Sequence, residues 1–324
     1  MGSKANAPPQ IFDRRLKQAH RDRAAHLQSD DDPLLGEVTE RLLDRLEDCR
    51  RSFPVAAIIG GAGTSVAARL TGARAGVETL LHLDDSPAML AHAARLQQAS
   101  QASGTRWPQV HHLAAEEEWL PLREKSVDVI ISSLSLHWVN DLPGAMVQCR
   151  RALKPDGLFL SAMWGGSTLQ ELRIAHTLAE QEVEGGLSPR MSPLVQVRDA
   201  GNLLTRAGLN IPSVDVDELT VHYGSPSKLV DHLRAMAESN AVYTRRPTMR
   251  RATAAAAERI YREKFGAEDG SVPATFEVIY MTGWAPAALQ PQALRRGSAT
   301  VKLEDLAEMQ RQRDRAASGA GRSG

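Results

Sequence analysis

Three glycines in a short span, Gly60, Gly61 and Gly63, follow the apolar run VAAII and precede the helix-like stretch TSVAARL. Glycine tolerates positive φ and lets the backbone approach a ligand closely, so strand, glycine turn and helix in that order can form a nucleotide site. The same turn also serves as a plain tight connection. Roughly 20 residues on, the spacing typical of nucleoside-binding folds, Asp84 closes a second apolar run, ETLLHLD. A carboxylate there can accept hydrogen bonds from both ribose hydroxyls, although it or Asp85 could instead cap the helix that follows.

Two further stretches carry candidate chemistry. In AAEEEWLPL, Glu116 can accept from the amino group of a purine with Trp119 or Leu120 packed beside it. Three consecutive glutamates are equally the mark of a solvated turn. In SVDVIISSLSLHWVND, Ser132 falls near the end of a buried strand as a cofactor-binding candidate, and His137 and Trp138 follow at the rim where a substrate would lie. The imidazole suits an acid, a base or a metal ligand, or a packed structural role. Local spacing assembles no HxExxH, CxxC or two-histidine-one-carboxylate set, so no metal is expected, and the G-x-S-x-G elbow of a hydrolase is absent.

The elements that must position these residues alternate. GEVTERLLDRLEDCR carries apolar residues at helical spacing, and the runs near residues 55, 79, 109, 127 and 157 read as strands with helices between them. Ser86 and Pro87 suit an N-cap and first helical position, and Asn140 and Asp141 are caps for the helix ending at KPDG, where the chain is expected to turn. Thr168 and Glu171 have capping-box spacing ahead of a helix running toward Gly185. SVDVDELTVHYG and ATFEVIYMTGW read as sixth and seventh strands, separated by two helices. The fold class is therefore α/β, a doubly wound seven-stranded sheet, mostly parallel with an antiparallel end. Ligands in such sheets bind beyond the carboxyl ends of the strands, where the candidate residues fall.

Bulk properties narrow the classes. The 324 residues hold 39 basic and 39 acidic side chains, so no net charge favours nucleic acid. Cys49 and Cys149 stand far apart, which points away from a disulfide framework and toward a reducing compartment. No apolar run approaches the roughly 20 residues that span a bilayer, and no clear presequence is visible.

The succession of glycine loop, LDDSPAML, AEEEWLPL, SVDVIISSLSLHWVNDLPGAM and LKPDG resembles class I S-adenosylmethionine-dependent methyltransferases with their Rossmann-like sheet. Within them it is similar to the BioC-like branch, and especially to the mitochondrial complex I assembly arginine hydroxylases, through IFDRRLKQAHRDRAA, GGSTLQELR, DGSVPATFEVIYMTGW and RRGSATVKLEDL. The resemblance implies S-adenosylmethionine as cofactor and hydroxylation of an arginine on a complex I core subunit. It also implies location in the matrix or at the matrix face of the inner membrane, with peripheral attachment and a second assembly factor as a further partner. The alternatives are a BioC-like methyltransferase of a malonyl thioester and a non-catalytic scaffold. The division expected is a basic arm at 1–35, the methyltransferase-like domain at 36–307 with a helical insertion at 226–266 covering the site or docking a partner, and a disordered tail at 308–324. One departure stands out. Where the family loop carries an acid, this chain has Ile58, or Ile59 in the alternative register. Losing one charge-assisted hydrogen bond costs about 1 to 3 kcal/mol, roughly 5- to 150-fold in affinity.

Overall fold

Short runs rich in Val, Ile and Leu, nearly free of charge, form the middle of a sheet because both of their faces can be covered by helices. The computed structural model describes residues 10–291 together with Gly297 and Asp305. Its strands are β1 (Val55–Ile59), β2 (Thr79–Asp84), β3 (Gln109–Ala114), β4 (Val127–Ser133), β5 (Leu153–Trp164), β6 (Asn210–Tyr223) and β7 (Val272–Trp284). The helices are α1 (Arg14–Ala24), α2 (Pro33–Glu47), α3 (Gly63–Arg69), α4 (Pro87–Ala102), α5 (Leu142–Ala152), α6 (Gln170–Glu184), α7 (Val197–Arg206), α8 (Pro226–Ala235) and α9 (Arg251–Phe265).

One seven-stranded sheet runs in the order β3-β2-β1-β4-β5-β7-β6. The first five strands pair in parallel, and β7 lies antiparallel between β5 and β6. The order reverses at β1, placing the loops after β1, β2 and β4 side by side. Alternate residues feed two cores. Ile58, Leu80, Ile131 and Leu160 join α2, α3, α6 and α9 on one face. Ile59, Ile130, Phe159 and Met281 join α5 and α7 on the other. Residues 1–287 make one unit and 288–324 another. The tail at 308–324 and most of RRGSATVKLEDL lie outside the described residues.

Local signals work where their partners are local. Ser86 accepts from the Met89 amide and Pro87 starts α4. Asp141 caps α5, while Asn140 turns instead to the N-terminal segment, accepting from the Ile11 and Phe12 amides at 2.8 Å each. Two expectations fail for the same reason, tertiary pairing. Thr168 and Glu171 form no capping box: α6 starts from Leu169 in a left-handed conformation without a side-chain cap. Thr168 Oγ1 donates to the Glu277 carbonyl at 2.9 Å and Glu171 accepts from the Thr275 amide at 3.2 Å, so both residues fasten α6 to β7. KPDG does not separate helix from strand, because β5 already begins at Leu153. The pairing with β4 slips between Val127↔Leu153 and Val129↔Leu158, and Asp156 carries a positive φ of 62° within the strand.

His82 stands on the α3 face of β2, fully buried beside His112, with neither ring nitrogen hydrogen-bonded. It explains Gly63: a Cβ there would meet His82 Nε2 at 2.6 Å. Burial, helped by His112, lowers the His82 pKa to about 3. The unfolded chain takes up this proton near its ordinary pKa of about 6.5. Stability contributed by the neutral ring is thus complete above that value and declines as pH falls toward 3. From pH 7 to pH 5, His82→Leu should remove about 2 kcal/mol of acid destabilisation, read as a smaller loss of urea-unfolding free energy than the parent shows.

Candidate functional site

The loop after β1 is tight because its backbone needs glycine. Gly60 and Gly61 hold φ of 53° and 58°, and a Cβ on Gly61 would fall against the Ser133 and Leu134 backbone. Its amides are already engaged: Gly60 donates to the Leu83 carbonyl at 2.8 Å, Ala62 to Ser133 at 2.7 Å and Gly63 to Gly60 at 3.0 Å. What the loop offers is close backbone approach, with these three donors committed inside the protein. Ser132, buried on β4, spends its hydroxyl on the Ile59 carbonyl at 3.3 Å and so ties β4 to β1.

Asp84 lies at the end of β2, almost wholly buried, as that strand's position beside the loop requires. Its Oδ1 accepts from the Ser86 amide at 2.8 Å and from Arg21 Nε at 3.0 Å, and its Oδ2 pairs with Arg21 Nη2. Arg21 also donates to the Gly61 carbonyl at 3.0 Å. Burial works against the Arg21 charge, yet the attraction of Asp84 outweighs it and raises the pKa. Residues 14, 17 and 21 share one face of α1, as the i, i+3, i+7 pattern dictates, and each reaches a buried acid. Arg14 pairs with Glu117 and, at 3.3 Å, with Asp85. Lys17 lies 3.5 Å from Glu238.

The acidic stretch after β3 turns differently from the expectation. Glu116 is exposed and lines a cleft with Arg14, Arg15 and Trp119, away from the glycine loop. Glu117, one residue on, is buried, accepts from Ser135 Oγ and would meet a Cβ placed on Gly60. Burial alone would raise its pKa, but Arg14 and the Ser135 hydroxyl bring it below the usual carboxylate range. Burial and the Glu117 charge push Asp85 the other way. A carboxylate thus reaches the glycine loop from the far side of the cleft. Ile58 and Ile59, where the family loop has its acid, sit 0 % and 1 % exposed in opposite cores.

His137 and Trp138 occupy a single 3-10 turn after β4. Both address Glu238: His137 Nε2 lies 3.1 Å from Oε2, and Trp138 Nε1 donates to both oxygens at 3.1 Å. On the α1 side the Lys17 ammonium sits 3.8 Å from the Trp138 ring centroid and donates to the Ala237 carbonyl at 2.7 Å. Burial lowers the Lys17 pKa to about 8 against the pull of Glu238. Behind Trp138 lies a cavity of about 290 Å³ walled by Trp164, Phe276, Leu172, Leu233 and the 190–194 segment. Sequence reasoning did not find Glu238, Glu117 or Arg21. The basic run from Arg14 to Arg23 was visible, and its i, i+3, i+7 spacing was the signal that a cationic helix face needed acids to meet. Among the described residues no three His, Cys, Asp or Glu side chains converge as metal ligands.

A methyltransferase-domain family matches residues 59–161. The chain is 42% identical over 301 residues to the mitochondrial arginine-hydroxylase NDUFAF5 of Danio rerio, spanning 92% of this chain and 90% of the relative. The chain belongs to the NDUFAF5 arginine-hydroxylase family. This NDUFAF5-type sequence is also 33% identical to a malonyl-[acyl-carrier protein] O-methyltransferase of Xylella fastidiosa, over 82% of this chain and 85% of that one. In fold it resembles the solved YcgJ protein of Bacillus subtilis, at TM-score 0.51 and 17% identity, over 78% of this chain and 99% of that one.

The chemistry of the NDUFAF5-type cleft fits S-adenosylmethionine. Asp84 carries the two acceptors a ribose diol needs and Glu117 the charge an ammonium group needs, while Gly60 and Gly61 pack directly against Glu117, Ser135 and the Ser133–Leu134 backbone. The same oxygens are held by Arg21 and Arg14, so α1 and such a ligand contend for them. Arg21→Met leaves Asp84 buried and unpaired and should destabilise the protein by about 3 to 5 kcal/mol. Asp84→Asn combined with Arg21→Met should cost clearly less than the sum of the single changes; additive urea-denaturation energies would show that the two side chains are not coupled.

Proposed function

We propose that this chain is a mitochondrial assembly factor for respiratory complex I that hydroxylates an arginine side chain of a core subunit and binds S-adenosylmethionine at the β1–β2 edge. The observation that carries this reading is the extent of the likeness. Identity of 42% runs over 92% of the chain, far beyond the methyltransferase segment at 59–161, whereas the malonyl-carrier methyltransferase relative stands at 33% over 82%. The relative of Danio rerio carries the label mitochondrial, and among the described residues no helix is long and apolar enough to cross a membrane.

S-adenosylmethionine, when bound, supplies a sulfonium centre and an electrophilic methyl group. The chain's own residues would bind and orient it. Asp84 would accept from the ribose hydroxyls, and Glu117, beside the Gly60–Gly63 loop, would offer the negative charge that Ile58 and Ile59 do not. Trp138 and Glu238 line the cavity where the target side chain would enter, and residues of α8 and of the 190–194 segment complete its wall. The pairing of Arg21 with Asp84 gives specific support to a second reading, a scaffold that kept the fold and no longer loads the cofactor.

Two measurements separate these readings. In titration calorimetry the parent should release heat on addition of S-adenosylmethionine, and Asp84→Asn should bind at least about tenfold more weakly, the scale of one charge-assisted hydrogen bond. No heat at millimolar ligand would favour the scaffold. Mass spectrometry of the complex I core subunit from cells lacking this protein should show loss of one oxygen mass from an arginine, and an unchanged modification would remove the hydroxylase assignment.

A further inference from the structure

The cavity behind Trp138 has a composition that selects its occupant. Its volume, about 290 Å³, lies at the lower edge of the roughly 300 to 1,000 Å³ typical of ligand sites, enough for one long side chain and too small for a nucleoside cofactor. Trp138, Trp164 and Phe276 supply aromatic walls, with Trp164 and Phe276 centroids 5.3 Å apart. Glu238 lines it and also borders the small gap beside Gly61 and Ala62. Glu238 is therefore the wall shared by the cavity and the cofactor loop.

Burial opposes the Glu238 charge, but Lys17 and His137 together hold its pKa down to about 2, so the group is ionised at neutral pH. Its donors are His137, Trp138 and the more distant Lys17. Another part of the lining is polar in a different way. His176 Nδ1, Arg190 Nη2 and Ser192 Oγ are buried there without hydrogen-bond partners in the protein. Buried polar atoms without partners are uncommon in native proteins, and these three residues form the wall between this cavity and a neighbouring one of about 320 Å³, where a polar ligand or solvent can meet them. The Arg190 charge is balanced by Glu180 at 2.6 Å, and burial together with Arg190 lowers the His176 pKa to about 4, leaving the ring neutral.

We propose that this cavity binds an arginine side chain carried by a peptide segment, with the guanidinium against an aromatic wall and Glu238, and main-chain carbonyls of the segment accepting from Arg190 and Ser192. The choice of arginine among cations rests on the hydroxylase reading, and the cavity's chemistry supports it independently. Aromatic faces and a desolvated carboxylate attract a planar cation. Lys17 demonstrates this preference within the molecule, its ammonium held by the Trp138 ring and near Glu238. A malonyl carboxylate would meet the fixed negative charge of Glu238, while the two cations of the lining, Arg190 and Arg234, are already paired with Glu180 and Asp231. Glu238 is thus the residue that distinguishes a cationic from an anionic substrate.

The test uses the full chain, without oxidant or added cofactor, and reads tryptophan fluorescence during titration with acetyl-Gly-Arg-Gly-amide and with its citrulline counterpart, which keeps the shape and loses the charge. The parent should bind the arginine peptide at least about tenfold more tightly, a discrimination of roughly 1.4 kcal/mol. Glu238→Gln should abolish the preference. Because Glu238 also holds Lys17 and His137, a second variant guards against misfolding: Leu172→Trp fills the cavity and should weaken the arginine peptide by a similar factor while leaving the S-adenosylmethionine calorimetry unchanged. Equal binding of the two peptides, no binding of either, or tight arginine binding in Leu172→Trp overturns the proposal. The hydroxylase reading is judged separately, by the oxygen mass on the partner arginine. If that mass persists undiminished when Glu238→Gln replaces the parent in cells, the cavity assignment falls and the hydroxylase reading stands.

Discussion

A buried arginine pressed onto a buried aspartate organises one whole end of this molecule. Arg21 and Asp84 are 4% and 1% exposed at the side chain, and taking either charge out of water alone would cost several kcal/mol. Each therefore requires the other, and the requirement spreads. α1 must lie across the carboxyl ends of β1 and β2 for Arg21 to arrive, and this brings Arg14 to Glu117 and Lys17 to Glu238. Phe12 then meets Trp138 edge-on at 5.3 Å, and Asn140 ties down the residues that lead into the helix. The N-terminal segment is thereby part of the site's wall, held by three basic side chains that meet buried acids along a single helix face.

Those contacts also place opposite chemistries on either side of a thin partition. Trp138, His137 and Glu238 lie between the glycine loop with α1 and the aromatic cavity. Glu238 is kept charged by His137, Trp138 and Lys17 while it lines a volume whose walls are mainly apolar. In such surroundings a carboxylate is worth more to an arriving cation than it would be in water, because little solvent screens it. The inserted helix α8 matters for the same reason: Val230 and Leu233 add apolar wall to the volume.

Much of the architecture was legible in the sequence because it follows from period and punctuation. The charge-poor β4 run, the Ser86–Pro87 start of α4 and the glycine turn after β1 depend on neighbours within a few residues, and all formed where those signals placed them. The site was less legible because its decisive pairs are distant in the chain. Asp84 could be singled out from the length of one strand–loop–helix unit, but its partner Arg21 lies 63 residues earlier. Among Glu116, Glu117 and Glu118 the inward member depends on the twist of a turn, which residue type does not encode. Thr168 and Glu171 matched a local motif and were drawn to β7 because a buried strand's hydrogen bonds outweigh a helix cap of about 1 kcal/mol.

The isoleucines at the end of β1 take on a different meaning in this setting. An acid at Ile58 or Ile59 would project into one of two dry cores, since each position is almost fully buried among apolar side chains. An uncompensated charge there would be costly, so the apolar residues fit the packing that surrounds them. Negative charge reaches the loop instead through Glu117, which comes from the segment after β3 and is steadied by Ser135 and Arg14. The change moves the acid from a strand, where its position is rigid, to a connection whose geometry is shared with α1. Electrostatics at the glycine loop therefore depend on where the N-terminal helix lies, and the two features that set this chain apart from a plain methyltransferase loop, the missing strand acid and the basic helix, are one arrangement.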